Sequence, residues 1–166
     1  MKRLVPTAEM TLGPFFPPEF AQGLNDLAPG AAHAVEITGR VTELDGKPLD
    51  NVIVEIWQAD AAGRYGSPDF PGWGRAATDA RGEYRFRTIR PGAAAGRAPH
   101  INFLILYSGL MRQLQTVMFF ETSNDPVLHA VDASRRDRLV AQKTSPASYR
   151  FDIRLRGGEE TPFFDD

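Results

Sequence analysis

The groups through which this 166-residue chain could do chemistry are few: three histidines, four tyrosines and no cysteine. His100 has the most suggestive setting, within the stretch Arg97–Tyr107, RAPHINFLILY. Ile101, Phe103, Ile105 and Tyr107 alternate with Asn102, Leu104 and Leu106, the pattern of a buried strand from Pro99 onward. Side chains two residues apart share a face of a sheet, so His100 and Asn102 look the same way. A histidine at 102 would make a pair with metal-ligand spacing; this chain has an amide there. His33 and His129 fall in expected loops, where a lone histidine is usually a surface residue. His100 opens its strand beside the glycine-rich loop Arg90–Ala98, where ligands often sit, although alone it still favours a structural role. No Ser/His/Asp order, phosphate-cradling loop or HExxH pair is present, which disfavours hydrolase, kinase and zincin readings.

The elements that position these residues follow from patterning. Val35–Leu44 alternates as a strand, with Gly39 as a bulge position, and Asp45-Gly46 signals a tight turn. Val52–Ala59 is the next strand, with Val52, Val54 and Ile56 on one face and Ile53, Glu55 and Trp57 on the other. Asp60–Gly74 reads as loop, Ala76–Asp79 as a short edge strand and Glu83–Ile89 as a strand. Leu114–Glu121 follows the His100 strand. Asp132–Gln142 is the one helix the sequence predicts, capped by Asp132 or Ser134. Tyr149–Arg156 alternates with Tyr149, Phe151, Ile153 and Leu155 inward. These elements predict an all-β fold: a β-sandwich of seven to eight mostly antiparallel strands with one short helix and an N-terminal arm. The expected division is an arm and loop over 1–34 and a single sandwich domain over 35–166. In the arm, TLGPFFPPEF combines four prolines and glycines with three phenylalanines. Prolines exclude a central strand, and clustered aromatics imply packing, on this sandwich or on a partner chain.

Composition narrows the classes. A formal charge of -2 gives no case for nucleic acid or an anionic membrane surface. Without cysteine there is no disulfide framework and no thiolate zinc site, which fits a cytoplasmic protein. No apolar run approaches the ~18 residues of a membrane helix, and MKRLVPTAEM lacks the apolar stretch of a secretory signal.

Taken together, GRVTELDGKPLDNVIVEIWQADAAGRY (Gly39–Tyr65), GRAATDARGEYRFRTIRPG (Gly74–Gly92), RAPHINF and YRFDIRLRG resemble, in order, the intradiol ring-cleaving dioxygenases. The opening TLGPFF and closing YRFDIRLRGGEETPFFDD look most like the α-type chain of the family's two-chain members. The resemblance implies a β-sandwich and a hetero-oligomer of α and β chains. It also implies ferric iron, Fe(III), in the partner β chain, and opening of a catechol-type aromatic acid between its hydroxyls by O2.

The family holds ferric iron with two tyrosinates and two histidines, a donor set suited to a hard, high-valent ion. His100 matches the first family histidine and Asn102 replaces the second. One family tyrosine falls in the loop that is Ala93-Ala94-Ala95-Gly96 here, and the other in Gly66–Trp73, which has none. Tyr65 matches a different family position and is not promoted to a ligand. No metal site and no catalytic residue are therefore expected in this chain alone. Arg97 matches an arginine beside the substrate in catalytic chains, and Val117 stands where those chains carry glutamine. The matches at Thr11, Gly13, Pro14 and Phe15 imply that the arm helps to form the substrate pocket of the β chain. Two readings follow: the α-type subunit of a heteromeric dioxygenase, or a free-standing, non-catalytic binding module derived from the family. A weak site for another metal, built on His100, ranks last because no second histidine has useful spacing.

Overall fold

The structure, a computed structural model, describes residues 18–21 and 24–164. Alternating apolar positions resolve into nine strands among these residues: β1 (Ala34–Thr42), β2 (Ile53–Trp57), β3 (Trp73–Ala77), β4 (Glu83–Ile89), β5 (His100–Leu106), β6 (Leu114–Phe119), β7 (Gln142–Ser145), β8 (Ser148–Arg150) and β9 (Ile153–Arg154). They form two sheets, one ordered β4-β1-β8-β7 with β9 also on β1, the other β3-β2-β5-β6. Pairing within the second sheet is antiparallel throughout. In the first, β1 pairs antiparallel with β4 and parallel with β8 and β9. The all-β, mostly antiparallel sandwich is as the sequence predicts. No helix among the described residues is long and apolar enough to cross a membrane.

Ile37, Val41, Val54, Ile56, Phe86, Phe103 and Phe151 belong to one buried cluster between the sheets. Burial of each such side chain is worth roughly 1.5–3 kcal/mol. A smaller cluster lies on the outer face of the second sheet. There Leu128 and Leu139 cover Val117 and Phe119.

Gly39 is not a bulge: β1 runs past β4 in continuous register. A Cβ at Gly39 would lie 1.9 Å from the Phe151 carbonyl oxygen and 2.6 Å from the Tyr84 hydroxyl. Glycine is required there by close approach, and the Tyr84 hydroxyl donates to that same carbonyl at 2.5 Å. Gly74 serves a similar end, since a Cβ there would meet Leu27 Cδ1 at 2.5 Å. Leu27 N–H donates to the Arg87 carbonyl and Arg75 N–H to the Leu24 carbonyl, at 2.8 and 2.9 Å. These bonds tie the segment before β1 to the edge strands of both sheets.

Several predicted elements shift. Residues Ala133–Leu139 form a 3-10 helix rather than the expected α-helix over 132–142. Leu139 is its one buried residue, so no apolar stripe favours an α-helix. Asp132 does cap it, accepting from Ser134 N–H. The α-helix lies just before, α1 (Pro126–Ala130), and it carries His129 out of the expected loop. Gln142 begins a wholly exposed strand instead of ending a helix. The edge strand β3 starts at Trp73, three residues before the predicted start at Ala76, and shortens the preceding loop. Tyr149–Arg156 keeps its inward alternation, but the strand is interrupted at Phe151 and Asp152.

Candidate functional site

Strand β5 places His100 at the rim of the second sheet, with Ile101, Phe103 and Ile105 turned into the core and His100, Asn102 and Leu104 on the outer face. His100 is buried. Its Nδ1 lies 2.7 Å from the Ala98 carbonyl oxygen. A carbonyl only accepts, so Nδ1 carries the proton and Nε2 presents a lone pair. The Tyr65 hydroxyl, 3.2 Å from Nε2, donates to it. Burial holds the His100 pKa below the ordinary histidine value and the nearby Arg97 charge acts in the same direction. His100 is therefore a neutral imidazole with both nitrogens engaged.

Tyr65 comes from the loop after β2 and stacks on Trp57, with centroids 6.2 Å apart and rings 9° from parallel. Asp60 orders that loop by accepting from Ala62 N–H, Arg64 N–H and Arg64 Nε, each at 2.9 Å. These bonds, the Arg64 amide first, hold the Asp60 carboxyl below its usual range. Asn102 Nδ2 donates to the Trp57 carbonyl at 3.3 Å, which ties the amide to the neighbouring strand.

Arg97 turns to Asp125. Its Nε lies 2.9 and 2.8 Å from the two carboxylate oxygens. Asp125 also accepts from Ala98 N–H and caps α1 by accepting from Val127 N–H, both at 2.9 Å. Burial alone would raise the Asp125 pKa; Arg97 and these amides reverse that and hold it below the usual carboxylate range. Arg97 Nη2 is buried and has no hydrogen-bond partner among the described residues. One carboxylate thus joins the end of the glycine-rich loop, just ahead of β5, to the start of α1.

Beside Asn102 a groove of about 320 Å3 opens on the outer face, lined by Glu55, Trp57, Trp73, Asn102, Leu104 and Gln115. A larger groove of about 640 Å3, lined by Thr38, Ala76, Asp79 and Arg85 among others, shares no residue with it. His33 is exposed in the turn before β1, and His129 is exposed in the last turn of α1. Thr11, Gly13, Pro14 and Phe15 lie outside the described residues.

This donor set does not fit ferric iron. His100 and Tyr65 are bonded to each other, Asn102 offers an amide already donating to backbone, and the loop at Ala93–Gly96 brings no phenol. Among the described residues no group of three or more His, Asp or Glu side chains is placed to hold a metal ion. Sequence reasoning missed Asp125 as the partner of Arg97 and set Tyr65 aside without a role. The Asp125-Pro126 pair was a usable signal, since Asp at N-cap followed by Pro at N1 marks a helix start.

A two-sheet sandwich with this rim, at His100, is the scaffold of a ring-cleaving dioxygenase. The family model described as "Dioxygenase" matches residues 19–157, and the chain belongs to the intradiol dioxygenase family. It is 34% identical to the protocatechuate 3,4-dioxygenase alpha chain of Burkholderia cepacia, over 99% of this chain and 100% of that one. It is also 38% identical to the beta chain from the same organism, over 77% of this chain and 66% of that one. The dioxygenase domain of a dioxygenase carbohydrate-binding protein fusion from Streptomyces sp. SirexAA-E shares the architecture with a TM-score of 0.64 and 27% identity, covering 95% of this chain and all of that one. The 3-chlorocatechol 1,2-dioxygenase of Rhodococcus opacus, at 23% identity and a TM-score of 0.61 over 89% of this chain and 71% of its own, shares the fold.

Proposed function

We propose that this chain is the α-type, non-iron-ligating subunit of a heteromeric protocatechuate 3,4-dioxygenase. In the assembled enzyme protocatechuate is opened between its hydroxyls by O2 to 3-carboxy-cis,cis-muconate, with Fe(III) held by the β chain. One observation carries the reading: the family's first histidine is present as His100, but its free lone pair accepts from Tyr65 and the second histidine position is Asn102. The chain resembles both chain types, the alpha chain over its full length and the beta chain over 66% of it, and the donor set supports the α-type reading. On this reading Thr11, Gly13, Pro14 and Phe15 line the partner's pocket, which suits a Gly-Pro turn beside an aromatic ring. Arg97 is the fifth pocket candidate, its Nε engaged by Asp125 and its Nη2 without a partner among the described residues.

The test is iron content and visible absorption of the chain purified alone and then co-expressed with its β partner. Tyrosinate on ferric iron absorbs in the visible. A colourless, inactive chain alone and a coloured, protocatechuate-cleaving complex are the expected results. Colour and activity in the isolated chain would overturn the reading. A chain that captures no β partner and stays colourless would instead fit a free-standing binding module.

A further inference from the structure

Strands β3, β2, β5 and β6 lay out a regular grid on the outer face of the second sheet. One row across it is Trp73, Trp57, Asn102 and Val117, and the next is Arg75, Glu55, Leu104 and Gln115. Trp57 and Trp73, the two tryptophans of the chain, stand directly opposite each other and turn to different partners. Trp57, 45% exposed, stacks on Tyr65, whereas Trp73 Nε1 donates to Glu55 Oε2 at 3.4 Å. The groove of about 320 Å3 is lined by both indoles, with Leu104 and Asn102 beside them. Pockets for small ligands begin near ~300 Å3 and combine apolar walls with a few polar groups. The charges at the edge of this one are already paired. Arg75 Nε donates to Glu55 Oε1 at 2.7 Å, Nη2 bonds the same oxygen, and Nη1 donates to the Phe20 carbonyl at 3.0 Å. Asn102 differs: its Nδ2 donates to the Trp57 carbonyl, but its Oδ1 accepts nothing from the described residues. An amide oxygen has two lone pairs and calls for an N–H or O–H donor.

We propose that this groove binds a small, uncharged, planar aromatic ring carrying a hydrogen-bond donor, the ring against the two indoles and the donor on Asn102 Oδ1. Indole faces favour offset or edge-on contact with a second ring. A carboxylate in place of the donor would set acceptor against acceptor beside the Glu55 anion, and the guanidinium nearest to it is already held by Glu55. The inference stands on residues of this chain alone and is independent of the subunit reading.

The experiment titrates the full chain with benzamide and with benzoate, which share a shape and differ in whether the ring substituent can donate. Both tryptophans of the chain line the groove, so indole emission reports its occupancy. Benzamide is expected to give a saturable change with a Kd on the order of 1 mM. Benzoate should bind at least about tenfold more weakly, the size of one hydrogen bond lost at an amide acceptor. Leu104→Phe, which fills the groove, should abolish saturation with little change in melting temperature. Trp57→Ala, which leaves Trp73 as the reporter, should weaken benzamide by about fivefold through the loss of one ring contact. No saturation with either probe overturns the proposal, as does equal affinity for the two. Tighter binding of benzoate also overturns it, since that would require an unpaired cation in the groove. Should Leu104→Phe fail to fold, Trp57→Ala carries the test, and undiminished benzamide affinity in that variant overturns the site.

Discussion

Tyr65 and His100, 35 residues apart in the chain, meet at 3.2 Å between phenol oxygen and Nε2. In a family whose iron ligands are tyrosine and histidine, this contact places one of each side by side and yet makes no ligand set. The phenol is a donor to the ring, not an anion beside it. The second nitrogen is committed to the Ala98 carbonyl, so rotating the imidazole to free a lone pair would break that bond as well. The site is occupied by its own hydrogen bonds.

Restoring the missing histidine alone should therefore fail. Asn102→His would lose the bond to the Trp57 carbonyl and set a second imidazole on the outer face, but two phenolates would still be absent. The isolated variant is expected to bind iron substoichiometrically and to show no visible charge-transfer band. Stoichiometric iron with a red-brown colour would mean that Tyr65 does act as a ligand.

The neutral state of His100 sets a pH dependence of stability. Its pKa is lowered in the fold by burial first and by Arg97 next, against the opposing effects of Ala98 and Asp125. The unfolded chain takes up that proton near pH ~6.5, before the folded chain does. Stability is therefore full above about pH 6.5 and declines as pH falls toward the lower folded value, with no further loss from this group below it. Urea unfolding of the wild type between pH 7.5 and 5 should show the decline, and His100→Gln should flatten it. Equal slopes in the two proteins would place the proton uptake elsewhere.

Much of this arrangement was legible in the sequence, and the exceptions have physical causes. Strand β5 was readable because its inward residues are all large and apolar while the outward ones change character. The 3-10 helix was read as an α-helix from the capping residues Asp132 and Ser134, yet burial favours only Leu139. Strand β7 carries no alternation, since all of its residues are exposed. The contacts Arg97–Asp125 and Tyr65–His100 are long-range, and no local pattern announces which carboxylate or ring a loop will meet. The missing second histidine was readable at once, because Asn102 shares a face with His100 whatever the loops do.

Asp125 joins the loop ahead of β5 to the start of α1, and its removal should be costly. Asp125→Ala leaves the Arg97 guanidinium, Ala98 N–H and the first turn of α1 without their acceptor. Breaking one side of a buried ion pair costs about 3–5 kcal/mol. Chemical denaturation should show a loss of that order, with Asp125→Asn losing less because an amide oxygen can still cap the helix. The depressed Asp125 pKa makes its contribution full above pH ~3.9 and lost as pH falls through the lower folded value. A loss below about 1 kcal/mol on Asp125→Ala would show the pair to be solvated in solution.

Gly39→Ala tests the joint between β1 and the parallel strands β8 and β9. The new Cβ would fall 1.9 Å from the Phe151 carbonyl, a backbone atom that cannot swing aside as a flexible side chain can. Either β1 moves away from the segment between β8 and β9, or the Tyr84 hydroxyl loses the carbonyl it bonds at 2.5 Å. Both routes disturb the core, because Tyr84 and Phe151 are buried there together with Phe103. A destabilisation of about 2–4 kcal/mol is expected, on the scale of overpacking added to an unsatisfied buried hydroxyl. Tyr84→Phe should cost only about 1 kcal/mol, the loss of one hydrogen bond with its ring retained. In the Tyr84→Phe background Gly39→Ala should cost somewhat less than in the wild type, since the hydroxyl at 2.6 Å is gone although the ring carbon Cζ at 2.7 Å remains. Full additivity of the two substitutions would show that the carbonyl and the ring, not the hydroxyl, set the cost.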